Sequence, residues 1–245
     1  MDKMIEQSYN GYKLYIYKNK LERSSNVSNF IENQIVQKLK IKDRFQFCVS
    51  GGSTPKSVYQ LLSERDIEWE KVDIFLGDER CVDPKSELSN SLMIKNSLLT
   101  KYGSKAFFYE IFSDKKVDDN ISKNLLISKL NEKCNGKPPS FDLTLLGLGD
   151  DGHTASLFPY QKDNNADDLV IFNQGKGLKR ISLTPKVLSA SSNIIFLVSG
   201  ASKQLALQRL LDKDESQERT PSKLIKSSNQ ISIFCDEESS KELSI

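Results

Sequence analysis

The 245-residue chain contains one histidine, one tryptophan, three methionines and four cysteines. With His153 as its only imidazole, any mechanism that needs two histidines is excluded. Cys48, Cys81, Cys134 and Cys235 are too scattered for a zinc or redox motif, which suits a reduced, cytoplasmic protein. The longest unbroken aliphatic and aromatic run, Ile194 to Val198, has five residues against the roughly 20 of a membrane helix. The opening Met-Asp-Lys-Met-Ile-Glu-Gln lacks the apolar core of a secretory signal. Charge of one sign is also missing: 35 Lys+Arg against 33 Asp+Glu leave +2, too little to attract nucleic acid or an acidic membrane through the overall field.

What is present is a 38% hydrophobic content, enough for a sizeable core, distributed as short β-rich runs alternating with segments of helical period. That alternation predicts an α/β fold with a mainly parallel sheet and helices on both faces. Strands are expected at Tyr12 to Tyr17, Phe45 to Val49, Val72 to Leu76, Phe107 to Ile111, Phe141 to Leu146, Arg180 to Leu183, Asn193 to Val198 and Ile231 to Cys235. Phe30, Ile31, Ile35, Val36 and Leu39 share one helical face, and further helices are expected at Pro55 to Leu62, Asn90 to Leu99, Ile121 to Leu130 and Lys203 to Leu211. Ser53 and Thr54 are candidate caps for the helix containing Pro55. The polar stretches Gln161 to Asp168 and Asp212 to Arg219 read as surface loops, neither long enough for a linker, so residues 1–245 are expected to form one domain.

Four strand runs pass from apolar residues into glycine and polar residues: Val49-Ser50-Gly51-Gly52, Leu76-Gly77-Asp78-Glu79-Arg80, Leu146-Gly147-Leu148-Gly149-Asp150 and Val198-Ser199-Gly200-Ala201. The carboxyl ends of parallel strands share one edge, and ligands bind in the crevice outside it, so these loops should converge. The turn Gly51-Gly52-Ser53 before a helix offers free N–H groups suited to phosphate, but it is not a nucleotide P-loop, because Pro55 stands before Lys56. An ordinary strand-to-helix turn is the alternative. In Asp78-Glu79-Arg80, Arg80 can grip a phosphate two-pronged, or the triplet forms a surface salt-bridge cluster. Lys203, expected in the first turn of a helix where the dipole disfavours a cation, suits an anionic ligand or simple solvation.

The segment Gly147-Leu148-Gly149-Asp150-Asp151-Gly152-His153 contains a formal G-x-G-x-x-G. A dinucleotide site is rejected, since Asp150 and Asp151 would put two negative charges where a pyrophosphate should sit. Asp151, two residues from His153 across Gly152, is placed to orient the imidazole, which gives a general base with its orienter. A structural histidine closing a turn is the alternative. Only Asp78, Glu79, Asp150 and Asp151 could form a hard-cation site, and nothing in the sequence fixes their geometry, so no metal or other cofactor is expected.

Ser50-Gly51-Gly52-Ser53-Thr54-Pro55, Asp78-Glu79-Arg80 with the later Ser89-Asn90, and Asp151-Gly152-His153-Thr154-Ala155-Ser156-Leu157-Phe158-Pro159, in that order, resemble the 6-phosphogluconolactonase family. So do Arg180-Ile181-Ser182-Leu183-Thr184-Pro185 and Ser199-Gly200-Ala201-Ser202-Lys203. The chain departs from the family pattern after Arg80, where Pro84 sits one place late and Glu87-Leu88 replaces Pro-Asp. The resemblance implies a Rossmann-like fold shared with glucosamine-6-phosphate deaminases, and metal-independent hydrolysis of 6-phospho-D-glucono-1,5-lactone, the second step of the oxidative pentose phosphate pathway. It leaves open association or fusion with glucose-6-phosphate dehydrogenase. Read with the residues, it gives His153 and Asp151 as catalytic, and Gly51, Gly52, Ser53, Arg80 and Lys203 as holding the substrate phosphate. A deaminase or isomerase is the nearest rival, but deaminases carry a glutamate five residues after the histidine, where this chain has Phe158. A non-catalytic sugar-phosphate sensor is the third reading; it would have no need of the Asp-Gly-His arrangement.

Overall fold

A computed structural model describes residues 5–112, 118–165 and 167–243. The chain opens with strand β1 (Ile5–Tyr9), β2 (Tyr12–Tyr17), helix α1 (Lys20–Leu39), β3 (Phe45–Val49), α2 (Ser53–Ser63), β4 (Val72–Leu76), β5 (Asp78–Arg80) and α3 (Asn90–Lys95). It continues through β6 (Phe107–Tyr109), α4 (Asp119–Lys133), β7 (Leu143–Gly147), β8 (Val170–Gly175), β9 (Leu178–Leu183), α5 (Pro185–Ser189), β10 (Asn193–Leu197), α6 (Gln204–Leu211), β11 (Ile231–Asp236) and α7 (Glu237–Ser240).

Eight strands form the main sheet in the order β1-β2-β11-β10-β7-β3-β4-β6, parallel throughout except for the β1–β2 hairpin. From β3 the chain steps outward to β4 and β6, then crosses back to β7 and proceeds the other way to β10 and β11. The crossovers run in opposite directions on the two sides of β3, and the right-handed rule for such connections assigns α1 and α2, which pack together, to one face and α4 and α6 to the other. The crossovers also make the loops after β3 and β7 diverge, the switch point at which such sheets bind ligands. The central strands β3 and β4 are buried at every residue, Gln46 and Asp73 included, which is why they do not alternate as a half-buried strand does.

The expected strands are present, with shifted ends at β6, β7 and β9 and by one residue at β10 and β11. Three strands, β1, β5 and β8, and the short helices α5 and α7 escape the sequence reading. Strand β9 does not join the parallel sheet; with β5 and β8 it forms a separate antiparallel sheet in the order β5-β9-β8, in which Arg80 stands opposite Arg180. In α1, Ile31 and Ile35 are fully buried but Val36 is exposed, because the helix turns a narrower stripe inward than its apolar positions suggest. Helix α2 is capped by neither Ser53 nor Thr54: Gly52 occupies the cap position at φ +101° without a side-chain bond. The helix expected from Asn90 to Leu99 ends at Lys95. The Gln161 to Asp168 loop holds a 3-10 turn, Lys162–Asn165, anchored by buried Asn164, whose amide donates to Phe158 O at 2.7 Å.

Candidate active site

All four strand-end loops meet at one cavity of about 220 Å³. Its walls include Gly51, Gly52 and Ser53 from the β3–α2 turn, Arg80 from β5, His153 beyond β7, and Ser199 and Lys203 after β10. Of the residues given a catalytic or phosphate-binding role from the sequence, only Asp151 stays off the wall, and it contacts His153. The site therefore assembles from segments far apart in sequence because parallel strands deliver their carboxyl ends to one edge.

His153 Nδ1 lies 2.5 Å from Asp151 Oδ1, and the same oxygen accepts the His153 backbone N–H at 3.1 Å. The turn that allows this is closed by two backbone bonds: Gly149 N–H donates to His153 O, and Gly152 N–H to Gly149 O. Gly149 has no room for a side chain, since a Cβ there would stand 2.0 Å from His153 Nδ1. Burial pushes the Asp151 carboxyl up, but the His153 hydrogen bonds and the charges of His153 and Lys176 outweigh it and hold the group well below the usual carboxylate range. Asp151 is thus a fixed negative charge behind the ring, and with Nδ1 committed to it, Nε2 is the nitrogen left for chemistry. On its other side the imidazole leans on the Phe158 ring, with centroids 4.7 Å apart.

The Asp78-Glu79-Arg80 triplet is not a surface salt-bridge cluster. Glu79 is buried and accepts from the backbone N–H groups of Arg80, Asn90 and Ser91 and from the Ser89 hydroxyl, so it caps the start of α3. Burial pushes its carboxyl up, with the N–H donors pulling the other way. Asp78 is buried too, taking the Ser156 hydroxyl at 2.5 Å and facing Arg180 at 3.8 Å. Asp78 and Arg80 both line the cavity; Arg80 Nη1 donates to Leu88 O at 2.6 Å, while its Nε is buried without a partner.

Arg180 is the functional candidate that sequence reasoning missed. It is 7% exposed, lines the cavity, and lies over the Phe158 ring at 5.3 Å. Burial lowers its pKa, with Arg80 adding to the effect against the pull of Asp78. Two guanidinium groups directly opposite on paired strands repel each other, and an anion between them would turn that repulsion into attraction. The signal available was a second arginine in a strand run. Only the β5–β9 register shows that it faces the first.

Lys203 ends a 3-10 turn, Ala201–Lys203, and caps α6 rather than lying in its first turn. Burial lowers its pKa, opposed by Asp150 and Asp151 and reinforced by Lys176. Lys176, at the tip of the β8–β9 hairpin, pairs with Asp150 at 2.6 Å. The four acids considered for a cation do not assemble. Among the described residues, Asp150, Asp151 and His153 have donor atoms within 4.8 Å of one another, but Lys176 occupies the first and His153 the second.

Comparisons with known proteins agree with this geometry. A profile of the family described as glucosamine-6-phosphate isomerases/6-phosphogluconolactonase matches residues 18–233. The 6-phosphogluconolactonase of Nostoc sp. is 33% identical over 213 residues, covering 84% of this chain and 88% of its own length. The crystal structure of 6-phosphogluconolactonase from Thermotoga maritima aligns with a TM-score of 0.79 at 26% identity, covering 91% of this chain and 98% of that one. One from Shewanella baltica shares the fold at a TM-score of 0.83 and 24% identity, over 96% of this chain and 100% of that one. With the family match spanning most of its length, this chain belongs to the glucosamine-6-phosphate isomerase/6-phosphogluconolactonase family.

Proposed function

We propose that the chain is a lactonase that hydrolyses 6-phospho-D-glucono-1,5-lactone to 6-phosphogluconate in the oxidative pentose phosphate pathway, the activity named for its relatives. The observation that carries the residue assignment is a carboxylate-held imidazole on the wall of a cavity that also bears Arg80, Arg180 and Lys203. His153 Nε2 takes a proton from water as the water oxygen bonds to C1, and the carbonyl electrons move to the exocyclic oxygen. Collapse of the tetrahedral intermediate breaks the bond from C1 to the ring oxygen, which receives the proton from His153; the new carboxylic acid then ionises to solvent. Asp151 keeps the ring oriented and stabilises the transient imidazolium. The phosphate is held by the Gly51, Gly52 and Ser53 turn with Arg80 and Lys203, and Arg180 adds positive charge between that end and the histidine. No covalent enzyme intermediate is needed.

Phe158 supports the lactonase over a deaminase or isomerase. Where an acid would stand beside the imidazole, a buried aromatic ring packs against it. A sensor would have no use for the Asp151–His153 pair. The reading treats residues 1–245 as one domain, supported by both sheets contributing to one cavity. A cytoplasmic location is supported by four unpaired cysteines, and no helix among the described residues is long and apolar enough to cross a membrane. Nucleic acid is no part of the reading, and association with glucose-6-phosphate dehydrogenase is tested by co-sedimentation of the two proteins. The central experiment follows acid release from freshly made 6-phosphogluconolactone. His153→Asn should lower kcat by about 10² to 10⁴ with its fold intact, and activity retained above a tenth of wild type would refute the assigned base.

A further inference from the structure

Beneath the fourth loop, away from the cavity wall, lies a buried ion pair with no part in the chemistry above. Arg23 of α1 is fully buried, and its Nη1 donates to Asp236 Oδ2 at 2.7 Å and to Val198 O at 3.0 Å. Its Nε and Nη2 have no partner. Burying an arginine with donors unsatisfied is costly, and an apolar side chain of similar volume often does as well or better for stability. Asp236, at the end of β11, spends its carboxylate on the loop that carries Lys203. Oδ2 accepts the Ser199 hydroxyl at 2.5 Å, and Oδ1 accepts the Gly200 N–H at 3.0 Å and the Ser239 N–H at 3.0 Å. Gly200, held at φ +89°, in turn accepts the Lys203 N–H at 3.0 Å. An unbroken chain of bonds therefore runs from a buried arginine to the backbone of a cavity lysine.

We propose that Arg23 and Asp236 are positioning residues that fix the Ser199–Gly200 turn so that Lys203 meets the substrate phosphate. This rests on the lactonase reading for the identity of that substrate. This turn opens the β10–α6 connection, and an unfixed lysine there would lose much of its binding contribution in being ordered. The pair converts that cost into one met during folding. Arg23 also binds the carbonyl of Val198, so the turn is gripped on both sides of Ser199.

The test is a double-mutant cycle of Asp236→Asn with Lys203→Met, reading kcat and KM on 6-phosphogluconolactone and on phosphate-free glucono-1,5-lactone. Binding of 6-phosphogluconate is read by calorimetry, and the fold is checked by circular dichroism. Each single variant should raise KM for the phosphorylated lactone about 10-fold, the size of one charge-assisted contact, and Asp236→Asn should do so with kcat nearly unchanged. On phosphate-free lactone Asp236→Asn should stay within 2-fold of wild type in kcat/KM. The double variant should be no worse than Lys203→Met. Ser199→Ala, which removes one bond without stranding a charge, should move KM the same way by a smaller factor and keeps the test open if Asp236→Asn does not fold. Additive losses, or equal losses on both lactones, would overturn the proposal. If the wild type fails to hydrolyse the lactone, the functional reading falls while the cycle is still judged on 6-phosphogluconate binding; absence of that binding as well would overturn both.

Discussion

Gly149→Ala is the sharpest probe of the histidine turn, because its effect follows from a distance. The added methyl would stand 2.0 Å from His153 Nδ1, 2.2 Å from Cε1 and 2.7 Å from Asp151 Oδ1. Non-bonded heavy atoms settle near 3.5 Å, so the imidazole must retreat by about 1.5 Å or the turn must open. A misplacement of about 1 Å at a reacting group costs on the order of 10²-fold in rate. Gly149 has no left-handed backbone angle, so alanine strains nothing but this contact. We expect kcat on 6-phosphogluconolactone to fall about 100-fold, with KM and 6-phosphogluconate affinity within 3-fold of wild type. Gly77→Ala is the control. It ends another strand, and its Cβ would meet nothing closer than Cys48 Sγ at 3.5 Å, so it should behave as wild type. The assay is acid release over the uncatalysed background with a pH indicator, beside a thermal melt. A Gly149→Ala enzyme with kcat within 2-fold of wild type would refute the claim that this imidazole, in this position, does the chemistry.

Other outcomes follow from the same contacts. Arg180→Met should lower kcat/KM about 10- to 150-fold, the range for charge-assisted hydrogen bonds; a loss under 2-fold would remove Arg180 from the site. Glu79→Ala leaves the N–H groups of Arg80, Asn90 and Ser91 without their acceptor, which should cost about 3 kcal/mol and lower Tm by roughly 6 to 12 °C. An unchanged melt would show that α3 needs no such cap. Burial pushes the Asp236 carboxyl up, but hydrogen bonds from Ser199, Gly200 and Ser239 outweigh it and hold the group below its ordinary value. The stability it contributes is complete above the ordinary carboxylate value near pH 4, and is lost as pH falls through the lower native one. Melts in that window should show a steep acid limb that Asp236→Asn flattens.

The patterns that survive from one dimension to three are those set by local chemistry. The short, mostly apolar runs of β3 and β4 fit strands buried on both faces, and the turn after β7 could bring Asp151 to His153 because a single intervening glycine suffices to close it. From these, the α/β class, the shared sheet edge and the catalytic pair were legible. What only the tertiary structure decided depends on pairing between distant segments. Asp78-Glu79-Arg80 looks like three solvated charges until β5 pairs with β9, which buries two of them and sets Arg80 against Arg180. Arg23 and Asp236 are ordinary charged residues in sequence, 213 positions apart, and become one buried pair only when β11 lies beside β2 and α1 covers the sheet. Charge carries no periodicity that reveals its partner, whereas apolar burial repeats with the backbone; the sequence therefore determined the scaffold and the local turn, and the fold decided which charges face the substrate.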